Sequence, residues 1–287
     1  MKNTYAKWFS LSFLSVLLFV SSVSAQTVDK VDEVVRTEMQ KQHIPGVSVA
    51  VVKNGKIIKL KSYGLANVET NAPVTNETVF KIGSISKPII AMGIMLLVEE
   101  GKISLDDKVS KYLEGTPETW KDITVRNLLS HTSGIVREAP GFDPAKIQAD
   151  ADVIKTAYPQ PLNFAPGEKY EYCNVGYFSL AEIIRKVSGK SWSEFLTERI
   201  FKPLGMNSTR TTTFDEIILN RANGYSFSNN KLSNAEVYLA LRPSGAFLST
   251  ISDLVKLEEA LAGKSFLTPE IRKTMWTPFK LNSGKES

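Results

Sequence analysis

The sequence predicts an α+β fold, and three observations carry that expectation. Strand signals gather at the front of the chain around one Asn-Gly turn. Helical patterning dominates from Ser84 onward. The two do not alternate as a βαβ series would. At 287 residues, 43% hydrophobic and 23% charged, the chain has the composition of a globular enzyme-sized unit, and a disordered tail, a collagen-like fibre and a coiled coil are excluded.

The elements follow in order. Lys2 and Lys7 precede an apolar run over residues 8–20, and Val23-Ser24-Ala25 supplies small residues for cleavage, so residues 1–25 read as a signal peptide. The run is too short to cross a bilayer comfortably. The protein is therefore expected to be secreted or periplasmic, with no stable membrane span after processing, and residues 26–287 to form one domain. A helix is expected over 29–42, with Val31, Val34, Val35 and Met39 on one side, ending before Pro45-Gly46. β-branched runs at 47–52 and 57–63 flank Asn54-Gly55, a hairpin signal. From Ile85 to Val98 almost every side chain is apolar, which places that helix in the core with Pro88 in its first turn. Shorter helical pieces and loops are expected over 105–113, 124–130, 178–187 and 192–201, an exposed loop over 225–234, and closing helices over 251–261 and 269–276.

Charge and ligand counts remove several function classes. The formal charge is +5, two units of it from the leader lysines, and what remains is no nucleic-acid footprint. Two histidines, His43 and His131, and one cysteine, Cys173, leave a histidine-built zinc site without ligands and an internal disulfide without a partner. No cofactor or metal is expected.

Two patterns could carry chemistry. In Ser84-Ile85-Ser86-Lys87 a serine opens the most apolar helix, beside unsatisfied N–H groups, and a lysine follows one turn later. A partly desolvated lysine there can lose its proton and activate the serine, the arrangement that needs no histidine. The same residues also suit an N-cap serine followed by a snorkelling lysine. Ser228-Asn229-Asn230-Lys231 repeats the spacing in a polar stretch that no core would hold. The second pattern is Tyr172-Cys173-Asn174. A phenol beside an ammonium can shuttle a proton and a carboxamide can orient a lysine or a substrate carbonyl, though a turn with packed tyrosines would look alike.

The segments Phe80 to Lys87, Leu128 to Gly134, Pro166-Gly167 running into Tyr172-Cys173-Asn174-Val175-Gly176-Tyr177, and Pro243 to Leu254 together resemble the class C β-lactamase-related serine hydrolases. That group includes penicillin-binding DD-peptidases and β-lactamase-like esterases. The resemblance implies an antiparallel sheet flanked by helices beside an all-helical region, with the site between them. It implies Ser84 as acylated nucleophile, Lys87 as its proton partner, Tyr172 as general base, and Asn174 binding the substrate amide and holding Lys87. His131 falls in a turn that the group uses structurally. The implied partner is a small-molecule or peptidoglycan-type substrate, handled by a monomer.

Two departures qualify it. Cys173 stands where serine is usual, which a side chain turned away from substrate would tolerate. The third motif, Lys-Thr-Gly or a histidine equivalent on a late strand, is matched only by Lys273-Thr274-Met275 in a helical pattern. The sheet is therefore expected to be incomplete in this chain, C-terminally truncated, with one oxyanion-hole donor missing and one apolar face of the Ser84 helix uncovered. No Gly-x-Ser-x-Gly elbow is present, against an α/β-hydrolase. A thiol hydrolase built on Cys173 with His131 or His43, and a non-catalytic fragment or peptidoglycan-binding remnant of the same fold, are the competing readings.

Overall fold

The computed structural model describes residues 29–143, 146, 148–211, 216–235, 243–245, 247–263 and 266–287. The expected signal peptide lies outside the described residues.

The first helix, α1 (Lys30–Lys41), is capped by the Asp29 carboxylate, which accepts from the Val31 N–H. Strands β1 (Gly46–Lys53) and β2 (Lys56–Asn67) form the predicted antiparallel hairpin, turning on Asn54 and Gly55 at φ 53° and 69°. A two-residue β3 (Ala72–Pro73) completes a sheet of order β1-β2-β3. Then β4 (Phe80–Lys81) leads through a 3₁₀ turn, Gly83–Ile85, into α2 (Ser86–Glu99).

Helices α3 (Val125–Leu129), α4 (Asp150–Ala157), α5 (Asn174–Ser188) and α6 (Trp192–Leu196) build the helical region. The last runs directly into a π turn, Thr197–Phe201. Strands β5 (Tyr225–Ser228) and β6 (Lys231–Asn234) pair with each other, and β7 (Leu248–Ser249) pairs antiparallel with β4. Helices α7 (Ile251–Ala262) and α8 (Pro269–Trp276) follow, within a residue of their expected bounds.

The α2 helix is the axis of the core. Its Ile89, Ile90, Met92, Ile94 and Leu97 have no solvent exposure, and burial of each is worth about 1.5–3 kcal/mol. Gly93 allows the close approach of α5 and α6: a Cβ there would stand 2.6 Å from Leu196 Cδ2 and 3.0 Å from Ile184 Cδ1, so Gly93→Val would drive the helices apart. On the remaining face Pro88 is exposed and Ala91 half-buried. That face lines a cavity of about 760 Å³ whose far wall is Met275, Trp276, Pro278 and Phe279.

Three sequence expectations are corrected. Residues 105–113 are not a helix but contain only a 3₁₀ turn, Val109–Lys111, because the Val109 N–H bonds to the Ile123 carbonyl across a Lys108–Thr124 bridge. The Ser/Asn-rich stretch 225–234 is the β5–β6 hairpin. Asn229 and Asn230 adopt φ 50° and 59°, the pair of left-handed residues that a type I′ turn needs. Helix α4 was not expected. Val153, Ile154 and Ala157 form its buried face, and Asp150 and Asp152 occupy its first turn.

Candidate active site

The serine turn is pinned from several directions. β4 enters it in register with β7, the Ile82 N–H bonds to the Phe247 carbonyl at 3.0 Å, and the Phe247 N–H bonds back to Ser86 Oγ at 3.2 Å. Gly83 takes φ 53°, open to glycine without strain, so that the chain can reverse just before Ser84. Ser84 itself stays exposed while Ser86 and Lys87 are buried.

Around Ser84 Oγ two groups converge. The Tyr172 O–H donates to it at 2.8 Å, and Lys87 Nζ lies 3.4 Å away and donates to the Ser244 carbonyl at 2.8 Å. The ammonium also stands 4.6 Å from the centroid of the Tyr172 ring. Burial pushes the Tyr172 phenol up, but hydrogen bonding to Lys87 and Ser84, with the charges of Lys87 and Arg137, outweighs it and leaves the phenol below its ordinary value.

Tyr172 is delivered by the extended segment that precedes α5. Cys173 caps that helix, its Sγ accepting from the Gly176 N–H at 3.3 Å, and is 2% exposed. Serine would do the same work there, which explains why the cysteine is tolerated. Burial pushes its thiol up to about 11, so it is an inert thiol. His131 Nδ1 accepts the Cys173 backbone N–H, and His43 stacks on Phe227 at 3.7 Å. Neither geometry serves a thiol hydrolase.

Asn174 is the first residue of α5. Its backbone N–H bonds to the Arg137 carbonyl at 2.9 Å and its side-chain amide donates to the Glu138 carboxylate. The rival pair Ser228 and Lys231 faces across the β5–β6 turn as a cross-strand pair on an exposed hairpin, not along a helix. Lys273-Thr274-Met275 lies within α8.

Sequence reasoning missed three contributors. The Ser244 carbonyl is a backbone atom and has no side-chain signature, though Ser244 falls inside the quoted segment 243–254. Arg137, with its guanidinium carbon 5.4 Å from the Tyr172 ring centroid, and Glu138 sit in a loop with no pattern of their own.

A serine-bearing turn at the head of a buried helix, with a lysine one turn on and a tyrosine hydrogen-bonded to the serine, has the elements that a histidine-free serine acyl-transfer site would need. The Beta-lactamase family model matches residues 31–285, and the chain belongs to that family. Penicillin-binding protein 4* of Bacillus subtilis is 33% identical over 258 residues, which is 83% of this chain and 57% of that protein. The octameric penicillin-binding protein homologue from Pyrococcus abyssi superposes with a TM-score of 0.77 at 31% identity, over 87% of this chain and 60% of that one. D-amino acid amidase from Ochrobactrum anthropi, complexed with D-phenylalanine, does so with a TM-score of 0.76 at 25% identity, over 87% of this chain and 75% of that one. The chain thus spans less than two thirds of the length of the first two.

Proposed function

We propose that this protein is an exported serine hydrolase that works through an acyl-enzyme on β-lactams, D-Ala peptides or small esters. One observation carries the reading: Ser84 Oγ lies within reach of both the Tyr172 phenol and the Lys87 ammonium at the head of a buried helix. The names of the penicillin-binding relatives and of the D-amino acid amidase support a cyclic or linear amide with D configuration near the scissile bond.

In the acylation step Tyr172, as phenolate, takes the Ser84 proton while Oγ forms a bond to the substrate carbonyl carbon. The phenol then returns that proton to the leaving nitrogen or oxygen as the scissile bond breaks. Lys87, anchored at the Ser244 carbonyl, stabilises the phenolate. Water later attacks the acyl carbon, giving its proton to the Tyr172 phenolate, and the phenol passes that proton to Ser84 Oγ as the ester bond breaks, which frees the acid and restores the serine hydroxyl and the phenolate. Asn174 binds the substrate amide in this reading, exchanging for it the bond that its side chain makes to Glu138, and the enzyme acts as a monomer.

Intact-mass analysis after incubation with a penicillin or a fluorophosphonate tests this. The parent chain gains one adduct and Ser84→Ala gains none. Binding of the penicillin without an adduct would contradict the hydrolase and leave a peptidoglycan-binding remnant of the fold. An adduct that survives Ser84→Ala would remove Ser84.

A further inference from the structure

Tyr172 must be held in place, yet it stands in an extended segment with no neighbouring strand among the described residues. Two backbone hydrogen bonds flank it, and both go to one residue. The Glu171 N–H donates to the His131 carbonyl at 2.9 Å, and the Cys173 N–H donates to His131 Nδ1 at 3.1 Å. Residues i−1 and i+1 of an extended segment point their N–H groups to the same side, so His131 replaces with its own carbonyl and ring the two acceptors that a neighbouring strand would supply.

The imidazole also lies against the phenol ring itself, 4.6 Å between centroids at a 32° tilt. His131 can do both because it sits at φ 57°, a left-handed conformation that the loop imposes on it.

We propose that His131 is the positioning residue for Tyr172, a two-point clamp that works only with an unprotonated Nδ1. This rests on the reading of Tyr172 as the proton-transfer group. Because Nδ1 accepts, the neutral ring carries its proton on Nε2. A proton on Nδ1 would set N–H against the N–H of Cys173 and release one end of the clamp.

The surroundings keep the ring neutral. Lys87 approaches from α2, Tyr177 and Cys173 from α5, Tyr170 and Tyr172 from the preceding segment, and Arg126 and Lys280 share the adjoining cavity wall with it. No carboxylate side chain is among these groups. Burial, with the Lys87 charge second, pushes His131 down to about 4.

Two replacements separate the clamp from simple packing, since glycine and asparagine both accept a positive φ and only asparagine offers an acceptor near the place of Nδ1. Acylation of Ser84 by the fluorophosphonate should fall about 100-fold in His131→Gly, the cost of misplacing a catalytic group by about 1 Å. His131→Asn should stay within about tenfold of the parent on the same grounds. In His131→Gly the Tyr172 phenol, read as the ultraviolet titration lost on Tyr172→Phe, should move from below its ordinary value towards about 10.

His131→Gly acylating within about threefold of the parent with an unmoved phenol would overturn the clamp. Equal loss in both replacements would do the same. The chain has only two histidines, so ¹⁵N spectra of the unaltered protein, assigned with His43→Gln, give an independent reading: an Nε2–H tautomer persisting to about pH 5 is expected, and an Nδ1–H tautomer refutes the proposal. Should the parent give no Ser84 adduct at all, the hydrolase reading fails, while the tautomer and phenol titration still decide the clamp.

Discussion

Two corners of this molecule each bring a tyrosine and lysine together, and the tyrosine has a different hydrogen-bond acceptor in each. Where α1 meets β2, Lys61 Nζ lies 5.3 Å from the centroid of Tyr63, and Asp32 accepts from the Tyr63 O–H at 2.8 Å, from Lys59 and from Lys61. Where α2 meets the segment before α5, Lys87 lies over Tyr172 and the Tyr172 O–H goes to a serine. Burial and then the Asp32 hydrogen bond push the Tyr63 phenol up, whereas the Tyr172 phenol ends below its ordinary value despite its burial. A carboxylate between the cations consumes their field and holds the phenol's proton. Where the phenol bonds to a serine instead, the cation's field acts on the tyrosine and lowers its phenol, as the proposed base would need. The same residue types give a structural tie in one place and a candidate catalytic corner in the other.

The largest effects should separate the two corners by activity. Tyr172→Phe and Lys87→Ala should each slow acylation of Ser84 by about 10²- to 10⁴-fold, measured as the rate of adduct formation. Tyr63→Phe and Lys61→Ala should leave that rate within about threefold, because neither touches the reacting atoms. The Tyr63→Phe change should appear instead as a melting temperature lower by about 2–4 °C, the loss of one hydrogen bond in a domain of this size. Equal acylation rates for Tyr172→Phe and Tyr63→Phe would erase the distinction.

Stability against pH should be next in size, and its sign follows from two buried groups. His131, down at about 4 in the folded state against about 6.5 unfolded, refuses a proton that the unfolded chain accepts. Its stabilising contribution is present above about pH 6.5 and is lost as pH falls towards 4, by up to about 3 kcal/mol. Asp150 runs the other way. Burial raises its carboxyl to about 7 although the Trp192 indole N–H donates to it at 2.7 Å, so stability present below about pH 4 is lost as pH rises through 7. Chemical denaturation at stepped pH should show His131→Asn flattening the acid side and Asp150→Asn the neutral side. An unchanged profile in His131→Asn would mean that the imidazole takes up its proton as readily in the folded protein as in the unfolded chain.

The legibility of the sequence followed the same physical divide. Ser84 and Lys87 could be read because their spacing meets an all-apolar helix, and the β1–β2 hairpin because Asn54-Gly55 advertises its turn. Tyr172 and Asn174 needed the family resemblance, since a tyrosine two places before an asparagine has no geometry of its own. The β5–β6 hairpin was hidden by side chains typical of loops, although Asn229-Asn230 is itself a type I′ signal. The turn at 109–111 was mistaken for helix because Val109, Tyr112 and Leu113 are buried at helical spacing while the backbone N–H of Val109 is used by Ile123. The Ser244 carbonyl and the His131 clamp depend on main-chain atoms brought together from distant segments, which no residue pattern encodes.

The smallest effect should be that of salt. At the Asp32 cluster Lys61 keeps 44% of its side chain exposed, so raising ionic strength to about 1 M, where the screening length is about 3 Å, should weaken its part of the tie between α1 and β2. Lys87, 4% exposed, should keep its hold on Tyr172. Salt would then lower the Tyr63 phenol towards its ordinary value and leave the Tyr172 phenol where it is. A Tyr172 titration that moves more than that of Tyr63 would show that the candidate catalytic corner is the more open of the two.

Titration of the two phenols in one protein tests the central claim most directly. Ultraviolet difference spectra of the parent minus Tyr172→Phe, and of the parent minus Tyr63→Phe, isolate each tyrosine from the other eight. The account predicts that Tyr172 ionises below about 10 and Tyr63 above it, and that Lys87→Ala returns only the Tyr172 step towards the ordinary value. A Tyr172 step at or above that of Tyr63 would contradict the assignment of Tyr172 as the base at Ser84.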